Sequence, residues 1–149
     1  MSLVTLHANI LALLQTISTL QEVSTRPTFQ FSGFPACFIA ESGNQNDFED
    51  QQNNLRVYSW NVWLFQEFDK TSVDDAYSIL RTEVDNIVGK FDAQESPTSS
   101  RSLADNLPAG YTLVKVWATP AEFAYDEKEK LLGARINIRC SVLVDLTTL

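Results

Sequence analysis

The apolar residues at the start of the chain recur at alternating steps of three and four. The series is Leu3, Leu6, Ile10, Leu13, Ile17 and Leu20, with Leu14 beside it. This spacing places the side chains on one stripe of an α-helix, and Ser2 is suited to cap it. We predict a helix over Leu3–Gln21, ended by Arg26-Pro27 because proline disfavours helix in the residue before it. The stripe lacks paired flanking charges, which favours packing on a sheet over a coiled coil.

Four later segments have the composition of strands. They are the end of Phe29–Ala40, then Leu55–Gln66, Tyr111–Ala118 and Ala134–Leu146. Leu55–Gln66 is apolar on both faces near its middle, which predicts a central strand covered on two sides, or covered on one side by a partner. The last strand alternates, with Ile136 and Ile138 facing one way and Arg135, Asn137 and Arg139 facing the other.

A second amphipathic helix is predicted to follow Ser72, whose spacing to Asp75 resembles a capping box, and to end near Gly89. Residues 93–108 read as a loop. The order α, β, β, α, β, β predicts the α+β class. We expect a single antiparallel or mixed β-sheet of about four main strands, two amphipathic helices packed on one face, and a long polar loop at 41–54. A length of 149 residues fits one domain, 1–149.

The charge balance bears on the class of partner. The chain has a net charge of −8, which argues against nucleic-acid binding, because that requires clustered Lys and Arg. The plain interpretation is solubility, and a sharper one is a surface that DNA passes without sticking. No segment approaches the length of a membrane helix, and the start lacks a basic signal-peptide region. We therefore expect synthesis in the cytoplasm and no membrane partner.

Residues suited to catalysis are scarce. The sole histidine, His7, lies beside the helical stripe without neighbouring acids in the sequence, so no triad is indicated. The five glycines form no phosphate-binding motif. The acidic segment lacks EF-hand spacing, which leaves at most weak adventitious cation binding. Cys37 and Cys140 lie in apolar runs and are expected to pack in the core. We predict a protein that is not an enzyme and needs no metal or cofactor.

Two segments are candidates for contacts with other proteins. Phe48 is an isolated aromatic among Asp47, Glu49 and Asp50, and it either tucks against its own loop or anchors a partner. The polar row of the last strand, with Arg135 and Arg139, is either solvated or an interface. Contact between this row and the acidic segment of a neighbouring copy would be head-to-tail, and such contacts close into rings.

The whole series of features resembles the tail terminator family of long-tailed bacteriophages. After the opening helix, the resemblance is carried by Phe34-Pro35-Ala36-Cys37-Phe38-Ile39, Ser42-Gly43, Arg56-Val57-Tyr58, Asp74-Asp75-Ala76 with the helix through Val84, the Gly110-Tyr111 strand ending near Pro120, and Gly133-Ala134-Arg135. The resemblance extends over nearly the full chain, from Leu3 to Leu146. It implies an α+β subunit that assembles as a homohexameric ring.

The resemblance also implies a role in the virion. The ring would cap the tail tube at its head-proximal end, stop tube polymerisation and present a docking surface to head-completion or connector proteins. DNA would pass through it without sequence-specific binding. The alternatives are a head-closure or other tail-completion subunit of the neck, and a monomeric adaptor or inhibitor acting through the acidic segment. A small enzyme or ligand-binding domain would need convergent polar groups, which the sequence does not offer.

Overall fold

Two helices and five strands make up the part of the chain described by the computed structural model, which is residues 2–28, 30–48, 53–68, 72–95 and 101–148. The elements are α1 (Ser2–Gln15), β1 (Glu22–Ser24), β2 (Ala36–Phe48), β3 (Asn53–Glu67), α2 (Val73–Asp92), β4 (Tyr111–Asp126) and β5 (Leu131–Asp145). Short 3-10 turns occupy Ala93–Glu95, Ser102–Ala104 and Leu146–Thr148. The α+β class and the two helices are thus confirmed.

The strands form one mixed sheet in the order β1-β2-β3-β5-β4. β1 runs parallel to the start of β2, and the other neighbours are antiparallel. The predicted number of about four strands was wrong, because β1 adds a fifth strand. β1 has only three residues, Glu22–Ser24, too few for an alternating pattern to be read from the sequence.

Both helices pack on the same face of the sheet, the inner face. Its side chains alternate along β3 and β5 and join the stripes of the helices in one buried cluster. Fully buried members include Leu6, Leu14, Trp60, Leu80 and Ile136. Each such side chain contributes roughly 1.5–3 kcal/mol on burial, so this apolar face is the main source of stability.

The helix ends differ from the prediction. α1 ends at Gln15 rather than Gln21, and the hydroxyl of Thr16 donates to the Leu13 carbonyl at 2.6 Å. The apolar spacing nevertheless continues, since Ile17 and Leu20 are buried in the turn that follows. This is why periodicity alone overestimated the length of the helix.

The second helix starts as predicted and ends later. The Ser72 hydroxyl accepts from the Asp75 backbone N–H at 3.2 Å, but α2 continues past Gly89 to Asp92. A glycine inside a helix costs only about 1 kcal/mol. The complete burial of Phe91 more than offsets this cost.

The predicted loop 41–54 was wrong. β2 runs through it to Phe48, and β3 already begins at Asn53, so the two strands form an antiparallel hairpin with Phe48 opposite Asn54. A bulge between Glu41 and Gly43 interrupts the register. Backbone pairing with β3 supports this polar sequence, and a strand near the sheet edge tolerates polar side chains. Residues 49–52 lie outside the described residues.

The segment between α2 and β4, predicted as a loop, contains two 3-10 turns and is held by Arg101. The Arg101 guanidinium donates to the carbonyls of Gln94 at 2.9 Å and Leu113 at 2.8 Å, and to the Glu95 carboxylate at 2.9 Å. Glu95 also accepts from the Val116 backbone N–H. These contacts attach the connection to the start of β4, and Leu103 within the connection is completely buried in the core cluster.

Candidate functional site: the outer face of the sheet

The face of the sheet opposite the helices, the outer face, is polar and partly exposed in its middle, whereas Phe38 and Phe65 are buried towards one end. Register places Trp63, Arg135 and Glu122 side by side, and Asn61, Asn137 and Thr119 in the next row. Arg135 and Asn137 are half-buried, whereas Arg139 is exposed. The predicted central position of β3 is confirmed, but the two described helices cover only one of its sides. The outer face therefore has the surface chemistry of a contact region.

A ladder of side-chain hydrogen bonds orders the middle of this face. The Asn137 amide donates to Asn61 Oδ1 at 3.1 Å and reaches the hydroxyl of Ser42 at 3.3 Å. The Arg139 Nε in turn donates to Asn137 Oδ1 at 3.0 Å. These bonds link β2, β3 and β5 through side chains, so the polar groups are held in place before any partner arrives.

Three cations line the same face, and we call Lys115, Arg135 and Arg139 the cationic strip. Arg135 pairs with Glu122 at 2.5 Å and lies 5.9 Å from the Trp63 ring centroid. Lys115 lies 5.4 Å from the centroid of Trp117. Arg139 has no carboxylate within ion-pair distance among the described residues. The strip is thus locally positive on a chain of net charge −8.

A groove of about 570 Å³ runs along this strip. It is lined by Ser42, Gly43, Val57, Ser59, Asn61, Thr119, Arg135, Asn137 and Arg139. The lining offers hydrogen-bond donors and positive charge, the combination that receives carboxylates of a partner.

Within one subunit, the structure places the backbone of Asp47 away from this groove. Asp47 pairs with Leu55, whereas Arg139 is level with Gly43 through Ser59. At about 3.4 Å per residue, Asp47 lies roughly 14 Å further along the sheet. Phe48 follows it at the end of β2, and Glu49 and Asp50 lie outside the described residues. Contact between Asp47 and the strip would thus require a second copy.

Several residues of the face were missed by sequence reasoning. Glu122 lies beyond the predicted strand Tyr111–Ala118, yet β4 extends to Asp126 and pairs Glu122 with Arg135. Lys115 and Trp117 lie at alternate positions of a strand that was recognised, so their shared face could have been noticed.

His7 has an acidic neighbour after all, because its Nδ1 lies 3.2 Å from Glu41 Oε1.

The two cysteines are free and buried on the inner face, which confirms that they pack in the core. Burial, with a smaller contribution from Glu83, raises the pKa of the Cys37 thiol to about 12, and burial raises the pKa of the Cys140 thiol to about 12 as well. They are not neighbours: Cys37 lies on β2 opposite Leu64, and Cys140 lies on β5 opposite Tyr58. Within the described ranges, no three metal-ligating side chains cluster, and no helix is long and apolar enough to span a bilayer.

Comparison with known proteins identifies a fold rather than a family. No family model matches the chain, and no curated protein matches it. Among solved structures, it is similar to a chain from the virion of a native gene transfer agent (GTA) particle. The TM-score is 0.59, and the match covers 92% of this chain and 93% of that one at 12% identity. The two chains share a fold over nearly their whole lengths.

Proposed function

We propose that this protein is a structural component of a phage-like virion and acts through contacts rather than catalysis. The similarity to a chain of a gene transfer agent virion supports this, because it covers 92% of one chain and 93% of the other. Such coverage means that no large insertion distinguishes the two folds. The ordered, partly exposed outer face supplies the contact surface that a virion subunit needs.

More specifically, we propose a tail terminator: a ring, hexameric as in the family it resembles, at the head-proximal end of the tail. The ring would end tube polymerisation and receive head-completion proteins. The observation that carries this assignment is the cationic strip, where Arg139 lacks a carboxylate partner among the described residues. The acidic segment from Asp47 to Asp50 of the next copy would supply that partner. A contact between two different surfaces is head-to-tail and closes into a ring.

The ring contact is tested by reversing two charges of the strip. We expect the double variant Arg135→Glu, Arg139→Glu to lose the oligomer, measured by light scattering alone and with purified tail tubes. Like charges would then face each other across the contact. Lys128→Glu is the control for a charge reversal away from the strip, because Lys128 is exposed in the turn between β4 and β5. An oligomer that survives the double reversal would disprove the proposed contact.

The position in the virion is tested by deleting the gene from the producing genome and imaging the lysate by electron microscopy. Abnormally long tails without heads are expected for a terminator. Tails of normal length that fail to join heads would instead indicate a head-closure subunit. Normal complete particles would overturn both assignments.

A further inference from the structure

A second concavity, which we call the hairpin hollow, lies where β4 turns into β5. Its volume is about 940 Å³. Its lining consists of Gln30, Phe65, Ala124, Tyr125, Asp126, Glu127, Glu129, Leu131 and Gly133. None of these residues lines the groove of the cationic strip, so the hairpin hollow is a separate surface.

The floor of the hairpin hollow is apolar and firmly packed. Phe65 is only 8% exposed, and its ring lies 5.6 Å from that of Phe31 and 5.8 Å from that of Phe38, centroid to centroid. Register places Gly133 and Ala124 beside it. The hollow therefore exists because two small residues stand next to a fixed aromatic ring.

The backbone conformation at position 133 does not require glycine, because Gly133 does not have a left-handed φ angle. A Cβ atom there would lie 3.5 Å from Phe65 Cε1, an ordinary van der Waals contact. A side chain at position 133 is thus sterically allowed at its Cβ atom, and a large one would fill the floor of the hairpin hollow. Its absence leaves apolar surface open to a partner.

The rim of the hairpin hollow is acidic. Asp126, Glu127 and Glu129 line it, and no cation is among the lining residues that the structure describes. Lys130, on the same turn, instead lies 5.8 Å from the ring centroid of Phe68. The Asp126 carboxylate accepts from the Glu129 backbone N–H at 3.1 Å, which fixes the turn. Tyr125, stacked on Phe68 at 5.7 Å and 53% exposed, adds an aromatic wall.

We propose that the hairpin hollow docks a segment of a different protein that carries one apolar side chain flanked by lysine or arginine. The apolar side chain would cover Phe65, and the flanking cations would meet the carboxylates of Glu127 and Glu129. Apolar anchors surrounded by complementary charge are typical of binding hot spots. A second copy is the less suitable occupant, because the chain has a net charge of −8 and two cations of its cationic strip, Arg135 and Arg139, line a groove of their own. This inference does not depend on the ring contact.

The test uses a peptide of one leucine with two lysines on each side, labelled with a neutral fluorophore. We expect saturable binding by fluorescence anisotropy to the full chain, weaker at higher salt because the charges are exposed. Replacing the leucine by glycine should weaken binding about tenfold, since it removes the buried apolar group. Replacing the lysines by glutamates should abolish binding.

Variants of the protein locate the site. Gly133→Leu should weaken binding about tenfold by filling the floor. Glu127→Lys should weaken it about fivefold, whereas Asp85→Lys, the same charge change on the exposed surface of α2, should leave it nearly unchanged. If circular dichroism shows that Gly133→Leu misfolds, Gly133→Ala should be used instead and should weaken peptide binding by a smaller factor.

Several outcomes would overturn the proposal. They are absence of binding, equal binding of the glycine peptide, and equal weakening by Glu127→Lys and Asp85→Lys. Binding retained by the folded floor variant would also exclude the hairpin hollow. Light scattering on the same variants should show an unchanged oligomeric state, so failure here remains distinct from failure of the ring contact.

Discussion

The inner and outer faces of the sheet are built from the same strands, yet neighbouring residues of β5 differ sharply in burial. Ile136 and Ile138 are completely buried against the helices. Arg135 and Asn137, one step away, are half-buried, and Arg139 is exposed. The inner face is completed by the chain itself, whereas the outer face is covered by no described helix.

This difference separates what folds the chain from what the chain offers to partners. Burial of apolar side chains contributes roughly 25 cal/mol per Å², so the inner face dominates the free energy of folding. The outer face is ordered by hydrogen bonds such as that from Arg139 to Asn137, each contributing only about 1 kcal/mol. Changes on the outer face should therefore alter contacts while leaving the fold intact.

The largest expected effect comes from breaking the inner face at Ile136. Ile136→Ala should lower the free energy of unfolding by about 2–5 kcal/mol, because it removes buried methylenes and leaves a cavity. Arg139→Ala on the same strand should lower it by at most about 1 kcal/mol, because it removes only the hydrogen bond to Asn137. Urea unfolding, at concentrations where light scattering shows a monomer, measures both. Equal losses would mean that the outer face contributes to the free energy of folding as much as the inner face does.

A smaller effect is expected from an arginine that serves the fold rather than a partner. Arg101→Ala should cost about 1–3 kcal/mol, because the carbonyls of Gln94 and Leu113 lose their charged donor. Arg101→Lys should recover only part of this, since an ammonium cannot reproduce the planar fork of the guanidinium. Urea unfolding of both variants provides the measurement. A lysine variant as stable as the parent would show that charge alone is sufficient.

The inner face was readable from the sequence because its cause is local. The stripe from Leu6 to Leu20 and the alternation from Ala134 to Val144 both mark buried side chains. Short-range hydrogen bonds were also readable, as the Ser72 cap shows. These signals depend on residue spacing within one element, and they survive even where the helix itself ends early.

The rest depended on pairings between distant residues. Nothing within 41–54 reveals that β2 continues to Phe48, because its support comes from the backbone of β3. The pairing of Arg135 with Glu122, and the hydrogen bond from Asn137 to Asn61, likewise needed the strand order and register. The assignment of Asp47, Phe48, Glu49 and Asp50 to a contact remains a prediction about a second copy.

The effect that is smallest at neutral pH concerns the pH dependence of the inner face. Burial raises the pKa of both Cys37 and Cys140 from 9.0 to about 12. Above about pH 9 the unfolded chain would lose these protons while the folded chain keeps them. The contribution of the thiols to the free energy of unfolding should therefore be constant below pH 9. It should fall between pH 9 and 12, by at most about 1.4 kcal/mol per pH unit for each thiol.

The variants Cys37→Ala and Cys140→Ala isolate the contribution of each thiol to this pH dependence. Tyrosines and lysines also titrate in this range, but they are common to the parent and the variants, so the difference in slope belongs to the thiol. Urea unfolding at about pH 8 and about pH 10.5 should show a shallower decline in each variant. The small cavity left by alanine lowers stability at both pH values alike, and it does not change the slope. Parallel declines in parent and variants would mean that the folded inner face does not hold the thiols protonated.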